Sequence, residues 1–215
     1  MGRLFGQLFF QEKTKLTEEQ WTRLFKWGWF PFSGLTKKEL SECAAWTTQT
    51  RYPEGPIRDI CKRFQRKIPE LIEAWKRRPE FAQHLPFVES AYATLRQGNF
   101  IATVQTLMPR IQGIMHNLLN RKAGQKRLAE SVVKNHDARS PLLPEKFKEY
   151  ILACYFKDFD LETGNLSLAR HSVAHGVSNA ADYNEISATV PFLILDQIYY
   201  FHPITSAPEP PVFPP

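Results

Sequence analysis

Residues 99–119 read NFIATVQTLMPRIQGIMHNLL, and the spacing of their apolar side chains decides the fold. Ile101, Val104, Leu107, Met108, Ile111, Ile114, Met115, Leu118 and Leu119 recur at three- and four-residue intervals. That interval puts side chains on one face of an α-helix. The stripe predicts a helix over about 100–121 with a broad apolar side. Asn99, after Gly98, stands where an N-cap side chain accepts from a free helical amide. Pro109 falls in the middle, lacks an amide hydrogen, and is expected to bend the helix.

Outward from this stretch, almost every segment reads as helix. Pro86 can open a helix running through Gln97. Thr17 with Gln20, and Thr36 with Glu39, have capping-box spacing, which predicts helices over about 18–30 and 37–48. Trp21, Leu24, Phe25 and Gly28 fit the first, with Phe30-Pro31 as its stop. Pro56 suits the first turn of a long helix. Ile57, Ile60, Cys61, Phe64, Ile68, Leu71, Ile72 and Trp75 would line its inner side, and Pro69 should kink or split it. Lys62, Arg63, Arg66 and Lys67, with Lys76, Arg77 and Arg78, read as a solvated face.

Toward the C-terminus, residues 122–142 are charged and weakly periodic and read as a connection holding one helical turn. Pro144 to Phe156 reads as a helix with Phe147, Tyr150, Ile151 and Cys154 inward. Asp160 to Gly164 reads as a turn, and Asn165 as the cap of a short helix. Asn184 can cap a last helix carrying Ile186, Val190, Leu193, Ile194, Ile198 and Phe201. Six prolines in the thirteen residues from Pro203 keep the tail from being helical. The expected class is all-α: an antiparallel helical bundle over 81–202, preceded by a helical region over 1–80 and followed by a proline-rich tail over 203–215.

The bulk properties narrow the chemistry. The chain has 215 residues, 43% of them hydrophobic, with sixteen Phe and five Trp, so a sizeable core is expected rather than disorder. The net charge of +6 favours anionic partners without choosing among them. Cys43, Cys61 and Cys154 are isolated and form no CxxC pair, which argues against a zinc site or a disulfide framework. They read as reduced, partly buried thiols. No run approaches the ~18 apolar residues of a membrane span, and the N-terminal run Leu8-Phe9-Phe10 is too short for a signal peptide. The expectation is a soluble, cytoplasmic protein that does not use a membrane.

Chemistry concentrates in Arg170-His171-Ser172-Val173-Ala174-His175-Gly176. Arginine holds a phosphate with a planar fork of donors. Histidine moves protons near neutral pH. Arg170 and His175 are five residues apart, about 140° around a regular helix, so they do not share one face of a straight helix. Gly176 offers a stop that would put His175 at the last turn. Three readings stand side by side. Arg170 and His175 could cleave an RNA phosphodiester, one stabilising charge and the other transferring a proton. His171 and His175, four apart, could bind zinc with Asp182, although no HExxH glutamate lies between them. Or the cluster is structural, with Arg170 paired to Asp160, Glu162 or Glu185 and the histidines packing and capping.

Residues from about 85 to 201 resemble the HEPN family, the higher-eukaryote and prokaryote nucleotide-binding domains. Ala91-Tyr92, Gly98-Asn99-Phe100 and Leu107 through Ile114 resemble the family's second-helix pattern. Phe156-Lys157-Asp158 through Asn165-Leu166, with Arg170-His171 to His175-Gly176, resembles its Arg-x4-His signature. Tyr183-Asn184-Glu185 and the following apolar run resemble its final helix. The resemblance implies a HEPN-like bundle and a ribonuclease pair, Arg170 and His175. It puts His171 at the polar position that positions RNA or supports His175. It further implies cleavage of single-stranded RNA without metal or cofactor, and a homodimer with the site at its interface. The implied role is that of a toxin or defence effector, held in check by an antitoxin or regulatory protein. The alternative is a non-catalytic module of the same fold that binds RNA, a nucleotide or a partner protein. One departure stands out: Gln112 replaces the acid usual before Gly113, so that carboxylate's role is lost, moved, or never more than packing.

Overall fold

The computed structural model describes residues 16–49, 51–134, 136, 143–157, 169–174 and 178–202, and for Arg170 and His171 the backbone alone. Among these residues the secondary structure is entirely helical, with no strand. In chain order the α-helices are α1 Glu18–Lys26, α2 Lys37–Trp46, α3 Glu54–Gln65, α4 Ile68–Trp75, α5 Pro79–Ala82 and α6 Leu85–Arg96. They continue with α7 Phe100–Leu119, α8 Gln125–Val133, α9 Pro144–Tyr150, α10 Arg170–Ala174 and α11 Glu185–Phe201. A π-helical turn, Ile151–Tyr155, extends α9, and a 3₁₀ turn, Ala180–Asp182, precedes α11.

The capping signals work as written. Thr17 with Gln20 and Thr36 with Glu39 form reciprocal capping boxes, so α1 and α2 begin where the sequence predicts. The first helix, however, ends at Lys26, not at Phe30-Pro31. Gly28 takes a left-handed φ of +66°. Its amide bonds to the Phe25 carbonyl and that of Trp29 to the Leu24 carbonyl, both at 2.9 Å. This is a Schellman stop, with Trp29 and Leu24 buried beside it. The same pair of bonds closes α6 at Gly98-Asn99, and the Asn99 side chain then caps α7. Pro69 splits the long basic segment into α3 and α4, as a residue without an amide hydrogen should.

α11 is the hub. Ile186, Ala188, Thr189, the whole run Pro191–Ile198, and Phe201 are buried, the pattern of a helix covered on every side. It packs against α3, α4, α6, α7 and α8. One continuous core runs from Trp21 to Phe201 and joins the residues before 80 to the bundle. An aromatic knot fastens that union: Phe30 packs on Phe147 at 5.2 Å and on Tyr150 at 5.5 Å between ring centroids. Each fully buried Phe contributes ~1.5–3 kcal/mol of transfer free energy. Between the two regions, the Lys146 ammonium binds the Glu18 carboxylate at 2.8 Å.

Four further expectations need correction. Residues 125–133 form a full helix, not a connection with one turn, because Leu128, Ala129, Val132 and Val133 supply a buried stripe. Ile101 is exposed, standing one position off the stripe. The basic face is not wholly solvated. Arg63 makes a two-pronged bond to Glu39 at 2.5 and 2.6 Å, and Arg78 is buried beside Glu80. Finally, Cys43 and Cys61 are fully buried, and desolvation pushes both thiols up to about 12. No helix among the described residues is long and apolar enough to cross a membrane.

Candidate functional site

The helix that carries the Arg-His motif is short and seated by its small residues. Ala169, Ser172 and Val173 are buried, Ala174 is exposed, and α10 packs on α7. Arg170 and His171 are its first two residues. Their side chains, and His175 altogether, lie outside the described residues, as do the Asn165 cap, Asp160 and Glu162. Of the other carboxylates weighed for this cluster, Glu185 lies 3.8 Å from the Arg58 guanidinium. Asp182 accepts from the Asn179 amide at 3.3 Å and closes the 3₁₀ turn. Among the described residues no group of three His, Cys, Asp or Glu side chains is gathered as a metal site would need.

The partner helix α7 changes character at Pro109. Beyond the proline, the Tyr155 hydroxyl donates to the Met108 carbonyl at 2.6 Å and accepts from the Gln112 amide at 3.0 Å. Those are the two groups that a regular helix pairs at i and i+4. A side chain inserted there is a recognised cause of a kink. Tyr155 reaches this point from the end of the π-turn, whose extra residue per turn re-aims the side chains that follow Ile151.

The Gln112-Gly113 pair is absorbed by packing and local hydrogen bonding. The Gln112 side-chain nitrogen lies 3.4 Å from His116 Nε2. Gly113 carries the His84 ring: a Cβ at 113 would sit 2.4 Å from His84 Cε1, so no larger residue fits without moving the imidazole. Burial, and then the Arg110 charge, hold the His84 pKa below its ordinary value, so its neutral form is favoured. Asn117 completes the clasp, accepting from Gln83 and donating to the Glu80 carbonyl, both at 2.9 Å. The polar face of the second half of α7 is thereby tied to the α5–α6 corner.

A second feature was not legible from motif spacing. A cavity of 460 Å³ opens where the end of α1, the π-turn and the start of α11 meet. Phe25, Trp27, Tyr52, Met108 and Tyr150 are among its walls. Trp27 and Tyr52 face each other at 6.1 Å between ring centroids. Lys26, Lys157 and Glu54 supply its charged groups. The Cys154 thiol lines the wall, donates to the Phe25 carbonyl at 3.3 Å, and is pushed up to about 12 by desolvation. It is therefore a packed thiol rather than a nucleophile. Its sequence signal is the cluster of aromatics Phe25, Trp27 and Trp29 around the end of α1, with Tyr52 further along the chain.

Comparison with family models, with curated proteins and with solved structures finds no match for this chain.

Proposed function

We propose that the protein is a metal-independent endoribonuclease that cuts single-stranded RNA with Arg170 and His175. The observation that supports this reading most directly is the seat of the motif. Ala169, Ser172 and Val173 are committed to the core, so the segment that carries Arg170 and His171 is fixed on α7. A fixed backbone is what a positioned catalytic pair requires.

In this reaction the 2′-oxygen of a ribose forms a bond to the adjacent phosphorus, and the bond from phosphorus to the 5′-oxygen of the next nucleotide breaks. The 2′-hydroxyl proton leaves to a base, and the departing 5′-oxygen takes one up. The products are a 2′,3′-cyclic phosphate and a 5′-hydroxyl. His175 handles a proton, Arg170 stabilises the charge that builds on the phosphoryl oxygens, and His171 positions the RNA or supports His175. The net charge of +6 favours approach of the polyanion. A homodimer would bring two motifs together, and the role would be that of a toxin or defence effector with a cognate antitoxin.

The decisive assay incubates wild type, H175A, R170A and H171A with mixed RNA in EDTA. Wild type should cut. H175A should be slower by ~10²-fold or more. A mixture of R170A and H175A should recover activity if one site draws on both protomers. Equal cleavage by H175A overturns the reading. So does RNA that is bound but left whole between about pH 5 and 9, which is the outcome expected of the non-catalytic binding module.

A further inference from the structure

The corner between α7 and α8 gathers cations that no carboxylate pairs among the described residues. From residue 90 to residue 134 the sequence holds seven Lys and Arg against a single carboxylate, Glu130. Four of the seven, Arg121, Lys122, Lys126 and Arg127, fall within seven consecutive residues, and all four are exposed. Among the described residues none of the four is in an ion pair, with Glu130 or with any other acid. Acids on the elements packed against α7 and α8 are engaged elsewhere: Glu80 by Arg78, Glu145 by Lys148 and Glu149 by Lys146.

Fold stability accounts for only half of this cluster. Arg121 and Lys122 follow the C-terminal end of α7, where positive charge is favourable. Lys126 and Arg127 stand in the first turn of α8, whose positive end repels them. Gly124 begins that helix without a side-chain acceptor, and its first turn holds no acid. The dipole and the four cations therefore add at one place. The backbone there is held in shape. Asn120 turns the chain with a φ of +53°. The Arg121 amide donates to the His116 carbonyl at 3.4 Å, and the Arg121 carbonyl oxygen lies 3.2 Å from His116 Nδ1. Ala123 packs on the core, and Leu128 and Ala129 seat the helix that follows.

The kind of polyanion follows from what surrounds the cations. A helix that lies on a lipid surface needs an apolar face to bury. The exposed large apolar side chains among the described residues, Phe87 and Ile101, are not at this corner. A phosphate backbone needs only the cations. We propose that the α7–α8 corner is a docking surface for the phosphate backbone of single-stranded RNA, gripped by Arg121, Lys122, Lys126 and Arg127. The choice of RNA rests on the ribonuclease reading. α10 packs on this same α7, whose 20 residues span ~30 Å, so a strand anchored at the corner lies within one helix length of the motif.

The test titrates the full chain against a fluorescein-labelled 2′-O-methyl oligouridylate, which lacks the attacking hydroxyl and stays whole. Anisotropy gives the affinity between about 50 and 300 mM salt. Each phosphate contact on a single strand contributes ~0.7 to the slope of log affinity against log salt. The variant R121Q/K122Q/K126Q/R127Q should therefore lose about 3 from that slope. R121K/R127K keeps the charge and should keep the slope. K26Q/K62Q/R66Q/R96Q removes the same charge on α1, α3 and the far end of α6, and should bind with the wild-type slope. Circular dichroism checks that each variant is folded. A slope loss smaller than one contact in the corner variant, an equal loss in the variant of remote cations, or a corner that binds phosphatidylserine vesicles and no RNA overturns the proposal. Cleavage of unmodified RNA by wild type is followed in parallel. Cleavage with no change of slope in the corner variant overturns the docking surface and leaves the ribonuclease reading standing. Binding through the corner with no cleavage does the reverse.

Discussion

The motif helix and the aromatic cavity are built in opposite ways. α10 takes its interest from seven consecutive residues, Arg170 to Gly176, and its seat from three small buried ones, Ala169, Ser172 and Val173. The cavity takes its residues from several distant segments, among them Phe25 and Trp27, Tyr52, Tyr150, Lys157 and Asn184. The first is a local pattern that can be recognised before anything folds. The second exists only after α11 has gathered the chain around itself. The two meet on α7, where Tyr155 reaches from beside the cavity to the Met108 carbonyl and the Gln112 amide, and where α10 packs.

This shared helix offers three ways to test how far the two regions are coupled. The largest expected effect comes from G113A. Its Cβ must displace the His84 ring, and overpacking of this kind costs ~1–3 kcal/mol. Denaturant midpoints should show the loss, and H84A/G113A should recover a good part of it. If G113A is as stable as wild type, the clasp between α6 and α7 is not the constraint described here.

A smaller effect is expected from Y155F, which leaves the Met108 carbonyl and Gln112 amide without their shared hydroxyl. Losing a buried hydrogen-bonding partner costs ~1–2 kcal/mol. Because the motif helix packs on this same α7, Y155F should lower RNA cleavage along with stability. Unchanged cleavage would show that the turn beyond Pro109 and the motif helix are energetically separate.

The smallest effect concerns pH. Burial lowers the folded-state pKa of His84 below its ordinary value of 6.5. At higher pH neither the folded nor the unfolded state carries the proton, and the native state suffers no penalty. As pH falls through about 6.5 the unfolded chain binds a proton that the folded chain refuses, so stability declines until the folded pKa is passed. His202, also lowered by burial, adds in the same direction. Unfolding free energies measured from about pH 7.5 to 5.5 should fall with pH in wild type and fall less steeply in H84Q. Equal slopes would refute the assignment to His84.

Much of the helical architecture could be read in advance. Thr17, Thr36, Asn99 and Asn184 cap helices because a side-chain oxygen within three residues of free amides acts locally. Pro69 splits a helix for an equally local reason. The failures were failures of locality. Phe30-Pro31 looked like a helix stop, but Gly28 had already turned the chain. Arg63 looked solvated, yet Glu39, twenty-four residues away, binds it. Residues 125–133 looked too polar for a helix because their stripe is narrow, four apolar positions buried where the helix packs on α7 and α9.

The candidate sites divide along the same line. Arg170, His171 and His175 are proposed from order along the chain, and that order alone names the chemistry. The sequence by itself determined the all-helical class, most helix starts and the proline interruptions, because capping, periodicity and the missing amide of proline act over one or two turns. Only the tertiary structure decided that Gly113 must stay small, that Tyr155 bridges the turn beyond Pro109, and that aromatics from distant segments enclose a cavity. Each of those depends on which remote surfaces α11 brings together as it buries itself, and no interval along the chain encodes that choice locally.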